Sequence, residues 1–297
     1  MQHNLTAGDR WFGRINVFIV AVITIIILYP LLFVVFASVS DPRLIFDNPL
    51  LLWPRGFTLD GYKRVFDNPD IWRGFGNAVL YTGLGTIVNV MFTTLAAYPL
   101  SRRDFKARNA VTILFTFTMF FSGGLIPTYL VNQQLGIINT LWVMILPGAV
   151  SVYNMIIMRT YFQQNIPLEL EESAFIDGAT DMQLLLKVVL PLSAPIMAVM
   201  LMFYGVGRWN GYFDAMIYLS DREKFPLQLI LREILVQNQM GDAMNQSIMT
   251  SGQSDVNAIK QSIKYAVVVV SSVPVLLFYP VVSKYFEKGI MIGAIKG

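Results

Sequence analysis

Apolar residues are gathered along the chain into six long runs, which are separated by polar stretches. A helix crosses a bilayer core about 30 Å thick with roughly 20 apolar residues, and each run reaches that length. The pattern predicts transmembrane helices over residues 15–38, 78–100, 110–131, 141–162, 192–213 and 265–286. The first run is too long for the apolar core of a signal peptide, so we expect it to stay in the protein. The sequence therefore predicts an all-α membrane protein with one transmembrane domain over residues 1–297.

Basic residues predict the orientation of these helices. They are concentrated in the N-terminal tail, in the loop RRDFKAR at 102–108 and at the C-terminal end, whereas loops 41–77 and 221–264 contain acidic and basic residues in equal numbers. Short cytoplasmic loops are enriched in Lys and Arg. We therefore expect both termini and the polar segment 163–191 in the cytoplasm, and the two long loops outside.

The outer loops are not expected to be structureless. Thr58 is predicted to cap a short helix over residues 59–66. An apolar stripe over residues 227–235 predicts a helix that lies along the outer surface. Both loops are either docking surfaces for an external protein or simple solvated connectors.

Composition excludes several kinds of chemistry. Hydrophobic residues make up 55% of the chain and charged residues 14%; cysteine is absent, and the single histidine is His3 in the tail. Disulfides and the usual zinc ligands are therefore missing, and we expect neither a membrane-embedded enzyme nor a cofactor. The sequence also lacks a Gly-rich phosphate loop followed by Lys and Ser or Thr, so this chain is not expected to bind ATP.

Helix breakers interrupt two predicted spans. Gly123, Gly124 and Pro127 lie in the third span, and Leu146-Pro147-Gly148 lies near the start of the fourth. The backbone groups that such breaks free must be satisfied by neighbouring helices or by water in a cavity. Interrupted helices often line a substrate path, and simple kinks that allow close packing are the alternative. The sequence leaves both interpretations open.

Polar and aromatic residues near the end of the fifth span predict a substrate path. Arg208 and Asp214 are six positions apart, so we expect each to face a cavity, another helix or the outer interface. Arg208 either meets an acidic sugar or pairs with a neighbouring helix or a lipid headgroup. Trp209 and Tyr212 form either an interfacial belt or a platform for sugar rings. The candidate set is Asn89, Asn154, Arg208, Trp209, Asn210, Tyr212 and Asp214.

A helical hairpin is predicted between spans four and five, over residues 167–191. Pro167 suits the first turn of a helix, and three glutamates follow where the helix dipole favours negative charge. Gly178 is placed to make a sharp turn before a second helix over residues 182–190. The first helix also carries an apolar stripe beside its carboxylates, which is typical of a helix that inserts into a groove of another protein.

The spacing of Glu172-Ser173-Ala174, Asp177-Gly178-Ala179 and Leu190-Pro191 resembles the EAA loop of permease subunits in ATP-binding cassette importers. The strings FFSGGLIPTYL, LPGAVSVYNMIIMRTYF and IPLELEESAFIDGA resemble the maltose-type carbohydrate permeases. Among these, the chain is most similar to the branch for complex or acidic oligosaccharides, which includes the alginate importer. The resemblance extends from about Thr58 to the end. Ser173 stands where the family motif has alanine.

The resemblance implies a type I importer permease fold, with the hairpin as cytoplasmic coupling helices. The ATPase-coupling residues that it implies are Glu171, Glu172, Ser173, Ala174, Asp177, Gly178 and Ala179. It further implies a second homologous permease subunit, two ATP-binding cassette subunits that bind ATP and magnesium, and an extracytoplasmic sugar-binding protein. The chain would then form half of an oligosaccharide path in the inner membrane, in contact with lipid and without a nucleic-acid partner.

Two alternatives to an oligosaccharide importer remain. A permease of the same family for peptides or phosphate differs only in its substrate. An ion-coupled secondary transporter would carry carboxylates at mid-span, and the cores of spans one to four contain neither Asp nor Glu.

Overall fold

The computed structural model describes residues 7–46, 51–245, 262–278 and 280. The regular elements over these ranges are all helices, which confirms the predicted all-α class. The end of the sixth predicted span and part of the loop 221–264 lie outside the described residues.

The helices follow one another with short connections. They are α1 (Ala7–Ser38), α2 (Pro42–Phe46), α3 (Asp60–Asp67), α4 (Pro69–Ser101), α5 (Arg108–Phe120), α6 (Leu125–Gln134), α7 (Leu141–Ile145), α8 (Val152–Asn165), α9 (Leu168–Ile176), α10 (Asp181–Leu184), α11 (Leu190–Leu192), α12 (Ala194–Trp209), α13 (Phe213–Tyr218), α14 (Leu227–Asn245) and α15 (Ser262–Phe278). A π-helical turn over Leu185–Val189 joins α10 to α11.

Among the described residues, two helices are long and apolar enough to cross a membrane on their own, namely Trp11–Ser38 within α1 and Pro69–Ser101, which is α4. Two bent pairs bring the number to four if each counts as one span: α5 with α6, at 113°, and Asp181–Leu192 with α12, at 84°. The apolar window of α1 has none of its residues buried, as expected for a helix that faces lipid or another chain.

The predicted breaks are confirmed. The third span is divided between α5 and α6, where Gly124 adopts a left-handed φ of 86°. The fourth span is divided between α7 and α8, where Gly148 has a φ of 68°. A residue with a Cβ is disfavoured in this region, so glycine suits both interruptions.

The described chain forms two compact units. The first contains residues 1–69 and 233–272, and its core is formed by Ala37, Ile45 and Leu51. The short helix expected after Thr58 is present as α3, but it begins at Asp60 with Leu59 in the N-cap position, so the prediction of Thr58 as the cap is wrong by one residue. The Thr58 hydroxyl accepts a hydrogen bond from the Asp60 N–H at 3.2 Å.

The second unit contains residues 70–232 and 273–297. Its main core is formed by α4, α8, the α10–α11 segment and α12. The most deeply buried side chains of this core include Met155, Met158, Leu184, Val189 and Met200. The predicted path residues and the predicted hairpin over residues 167–191 both lie in this unit.

The helix predicted along the outer surface is buried at its start. Leu227, Leu229, Ile230 and Leu231 of α14 are each at most 5% exposed. Gly74 of α4 makes this possible, because a Cβ there would lie 3.3 Å from the Leu227 backbone and would clash with the Ile230 Cδ1. The apolar stripe at the start of α14 therefore packs against α4, and the position of this helix at the outer surface stays a prediction.

Candidate functional site

A cavity of about 310 Å³ lies among α4, α7, α8, α12 and α13. Four of the seven predicted path residues line it: Asn89, Asn154, Arg208 and Asp214. We refer to it as the Arg208 cavity. Its polar lining lies beside the break between α7 and α8, as in the first of the two interpretations that the sequence leaves open for the interrupted fourth span.

Arg208 satisfies the backbone that this break frees. Its guanidinium donates hydrogen bonds to the carbonyl oxygens of Met144, Ile145 and Pro147 and to the Asn89 side-chain oxygen. The last carbonyls of a helix have no partner within that helix, and in a membrane they need another donor. These bonds favour the interpretation in which Arg208 pairs with a neighbouring helix over the interpretation in which it serves sugar recognition alone.

Tyr204 is a residue of this cavity that the sequence interpretation missed. Its hydroxyl is hydrogen-bonded to the Thr93 hydroxyl and accepts a bond from the Ser151 N–H at 3.1 Å. Ser151 in turn caps α8, since its side chain accepts a bond from the Asn154 N–H. A tyrosine in the middle of an apolar span is the signal that would have pointed to such a polar contact.

The other three predicted path residues do not line the Arg208 cavity. Trp209 is 6% exposed and packs edge-to-face on Phe75, with ring centroids 5.7 Å apart. Asn210 is exposed where α12 ends. The Arg232 guanidinium lies over the Tyr212 ring, 5.1 Å from the ring centroid. The structure therefore does not bring Trp209 and Tyr212 together as one platform at this cavity.

The hairpin predicted over residues 167–191 is present, with a well-defined turn. Gly178 has a φ of 79° and donates its N–H to the Phe175 carbonyl, while the Ala179 N–H bonds to the Ala174 carbonyl at 2.9 Å. This pair of bonds is the Schellman ending of a helix, which places glycine at the left-handed position. We call residues 177–180 the elbow.

A capping box begins the second helix directly after the elbow. The Thr180 hydroxyl accepts a bond from the Gln183 N–H, and the Gln183 side chain accepts one from the Thr180 N–H. The helical path then continues through the π-helical turn to Leu192, so it extends past residue 190, the predicted end of the second helix, and includes Pro191. Both sides of the elbow are thus fixed by hydrogen bonds.

The implied coupling residues are divided between two faces of α9 and the elbow. Exposed residues are Glu172, Ser173, Asp177 and Gly178; half-buried residues are Glu171, Ala174 and Ala179. Ile176 is 86% exposed, beside the half-exposed ring of Phe175. The Ser173 hydroxyl donates to the Leu170 carbonyl, so this replacement of the family alanine adds no unsatisfied group.

Glu171 points away from this exposed face, towards the end of α4. Its carboxylate accepts a bond from the Arg102 Nη1 at 2.6 Å. Partial burial raises the pKa of Glu171, while the charge of Arg102 lowers it. The Arg102 side chain is 9% exposed and also holds Asp104, whose pKa it lowers through a hydrogen bond. Sequence reasoning counted Arg102 only as a basic loop residue.

A polar cavity beside interrupted helices, together with an exposed helical hairpin, is typical of a membrane transport subunit. The chain belongs to the family of binding-protein-dependent transport system inner membrane components, whose model matches residues 89–292. It is therefore a permease, a non-catalytic subunit of an inner-membrane transport system.

Relatives cover almost the whole chain. Protein LplC of Bacillus subtilis is 40% identical over 298 residues, which is 100% of this chain and 98% of that protein. The polygalacturonan/rhamnogalacturonan transport system permease protein YtcP of Bacillus subtilis is 40% identical over 97% of this chain and 99% of that protein. The crystal structure of a bacterial ABC transporter involved in the import of the acidic polysaccharide alginate contains a chain with a TM-score of 0.83. That chain is 30% identical, with 95% of this chain and 98% of that one covered.

Proposed function

We propose that this permease is half of the translocation path of an ATP-driven importer for oligosaccharides, acidic ones among them. The observation that carries the proposal is the hairpin, whose elbow is fixed on both sides and whose first helix, α9, exposes Glu172 and Ile176. A short helix with an apolar tip and a carboxylate beside it fits a groove on another protein. We assign this groove to an ATP-binding cassette subunit, because this chain has no phosphate loop of its own.

The elbow is suited to transmit force. The Schellman bonds and the capping box leave α9 and α10 little freedom at their junction, so a push on the exposed tip moves both helices together. ATP binding by two such subunits would shift the permease between inward-facing and outward-facing states. A second homologous permease subunit would complete the path, and a binding protein would deliver the sugar from outside.

The orientation follows from this assignment. The elbow must face the cytoplasm, where ATP is available, and both termini then lie on the same side. The basic loop 102–108 supports this orientation, since it lies beside the hairpin through the bond between Arg102 and Glu171.

Acidic oligosaccharides are the proposed substrates because of the relatives. YtcP is named for polygalacturonan and rhamnogalacturonan, and the similar solved transporter for alginate. The Arg208 cavity offers amide and carboxylate groups from Asn89, Asn154 and Asp214 to sugar hydroxyls. Peptide, phosphate and ion-coupled transport are the alternatives, and no contact in the cavity favours them.

Reconstitution tests the proposal. The permease is assembled in proteoliposomes with its partner permease, the ATPase subunits and the binding protein, and uptake of oligogalacturonate, alginate oligomers and maltooligosaccharide is measured with and without ATP. We expect ATP-dependent uptake with a preference for the acidic sugars. Uptake driven by an ion gradient without ATP would exclude an ATP-driven importer. Uptake of maltooligosaccharide alone would exclude acidic oligosaccharides as the substrates.

A further inference from the structure

Arg102 joins the segment that follows α4 to α9, which lies about 70 positions further along the chain. It directly follows the last residue of α4, and its side chain donates to Asp104 through Nε and Nη2, both at 3.2 Å. Nη1 reaches Glu171 of α9 at 2.6 Å. The guanidinium also lies over the Phe175 ring, 5.1 Å from its centroid.

Glu171 and Phe175 are four residues apart, so they occupy the same face of α9. That face is the one directed to the end of α4, whereas Glu172 and Ile176 are exposed. The planar guanidinium is suited to hold a carboxylate and an aromatic face at once, which an ammonium group does less well. Arg102 therefore fixes both the distance and the rotation of α9 relative to α4.

The end of α4 is anchored by further bonds. Its last carbonyls are bonded by side chains from α8: Arg159 donates to the Leu100 carbonyl at 2.8 Å, and Gln163 donates to the Ser101 carbonyl at 3.4 Å. Arg108 donates to the Arg102 carbonyl at 3.2 Å. Cationic and amide donors at a helix C-terminus are stabilising. A displacement of α9 therefore acts on a firmly held end of α4.

We propose that Arg102 is a positioning residue that carries the movement of the hairpin directly to α4. α4 contributes Asn89, Tyr81 and Ala78 to the Arg208 cavity, so this contact gives the elbow a second route to the path besides its covalent neighbours α8 and α12. The inference rests on the proposed function, in which the elbow meets an ATPase subunit.

A double-mutant cycle on the assembled transporter tests this inference. Arg102→Ala and Glu171→Ala are made singly and together, and the stimulation of ATP hydrolysis by oligogalacturonate-loaded binding protein is compared with basal hydrolysis. Arg102→Ala is expected to lower the stimulation about tenfold, and Glu171→Ala less, because the contact of Arg102 with Phe175 remains. The double variant should lower it no further than Arg102→Ala, because that variant already lacks the bond between Arg102 and Glu171. Arg103→Ala, which removes a neighbouring exposed arginine, is the matched control and should keep the stimulation.

A distance measurement separates positioning from general damage. The native chain contains no cysteine, so spin labels at Lys106→Cys and Glu169→Cys report the separation of the 102–108 loop from α9. One narrow distance distribution is expected in the native protein and with Arg103→Ala, and a broad one with Arg102→Ala. Arg102→Lys should be intermediate. Because labels can be read in a complex that still hydrolyses ATP, a folded but loosened α9 is distinguishable from a misfolded subunit.

The outcomes distinguish this inference from the proposed function. Normal stimulation and a narrow distribution in Arg102→Ala, while Gly178→Asp abolishes stimulation, would overturn the role of Arg102 alone. Multiplicative losses in the double variant would also overturn it. Loss of ATPase subunits from the Arg102→Lys complex would assign Arg102 to assembly instead. No effect of either Arg102→Ala or Gly178→Asp would reject the coupling assignment itself.

Discussion

Arg208 and Asn89 are 119 positions apart in the chain, and Arg208 Nη2 donates a hydrogen bond to the Asn89 side-chain oxygen at 3.0 Å. Asn89 in turn donates to the Gly148 carbonyl at 3.3 Å, and Arg208 donates to three carbonyls just before it. The two side chains thus hold the interruption between α7 and α8 together with α4. Gly85 leaves room for the arginine, since a Cβ there would lie 3.2 Å from its Nε.

Replacement of Arg208 by alanine should lower stability as well as transport. Each buried acceptor that loses its partner costs about 1–3 kcal/mol, and partial relaxation should limit the total to roughly 3 kcal/mol. We expect a lower melting temperature of the purified protein in detergent and an equal loss of uptake for oligogalacturonate and maltooligosaccharide.

Arg208→Lys is the matched control for charge. It keeps a cation in the cavity but not the planar set of donors that bonds several carbonyls. Its melting temperature should therefore lie between those of the native protein and Arg208→Ala. If Arg208→Ala kept its melting temperature and lost only the acidic sugar, sugar recognition would be the main role of Arg208.

Gly61 lies at a close contact between two helices of the first unit, and this contact provides a second prediction. A Cβ at this position of α3 would lie 2.6 Å from the backbone oxygen of Ser262 in α15 and 3.3 Å from the Ala266 Cβ. Because a backbone atom cannot move aside easily, Gly61→Ala should destabilise the protein by about 1–3 kcal/mol. Differential scanning fluorimetry in detergent measures the shift.

The control for this variant is Gly76→Ala. Gly76 lies in α4 with nothing within 4 Å of the added Cβ. Alanine is favoured over glycine in a helix by about 1 kcal/mol, so this variant should be neutral or slightly stabilising. Equal destabilisation by both changes would contradict the close approach of α3 to α15.

Local signals were sufficient to predict the hairpin. Pro167 directly before α9, the left-handed Gly178 and the second helix are set by interactions within a few residues, so the sequence could predict each of them. The same holds for the break at Gly148. The family resemblance added the functional interpretation that these local features alone do not contain.

Contacts between distant segments could not be predicted in this way. The sequence groups Trp209 with Tyr212 as an aromatic belt or a sugar platform, yet Trp209 packs against Phe75, and the Tyr212 ring lies against Arg232. The bonds from Arg102 to Glu171 and from Tyr204 to Thr93 join segments 69 and 111 positions apart. The charge of the 102–108 loop predicted its side of the membrane but not this contact.

Thr180 provides a third test, because its hydroxyl accepts the first bond of the capping box. Thr180→Ala should destabilise the start of α10 by about 1 kcal/mol. Hydrogen exchange of the Gln183 and Leu184 amides, which both donate to Thr180, should therefore become faster, while α8 stays protected. Thr180→Ser keeps the acceptor and should restore the slow exchange; unchanged exchange in the alanine variant would mean that the capping box is not what fixes the elbow.

Gly178 gives the most direct test of coupling. Its φ of 79° disfavours any residue with a Cβ by roughly 1–2 kcal/mol, and nothing lies within 4 Å of an added Cβ. The strain is therefore confined to the elbow, and Gly178→Asp also adds a carboxylate beside Asp177. We expect a folded, membrane-inserted protein whose sugar-stimulated ATP hydrolysis falls more than tenfold in proteoliposomes.

Two matched variants make this result specific. Asparagine tolerates the left-handed region better than other residues, so Gly178→Asn should retain more coupling than Gly178→Asp. Gly136 has a φ of 68° and equally open surroundings in the loop after α6, so Gly136→Asp imposes the same strain and charge elsewhere. If Gly136→Asp reduced stimulated hydrolysis as much as Gly178→Asp does, the loss would reflect general strain. If only Gly178→Asp lowers the stimulated hydrolysis, the angle between α9 and α10 must be kept for ATP hydrolysis to be coupled to the permease.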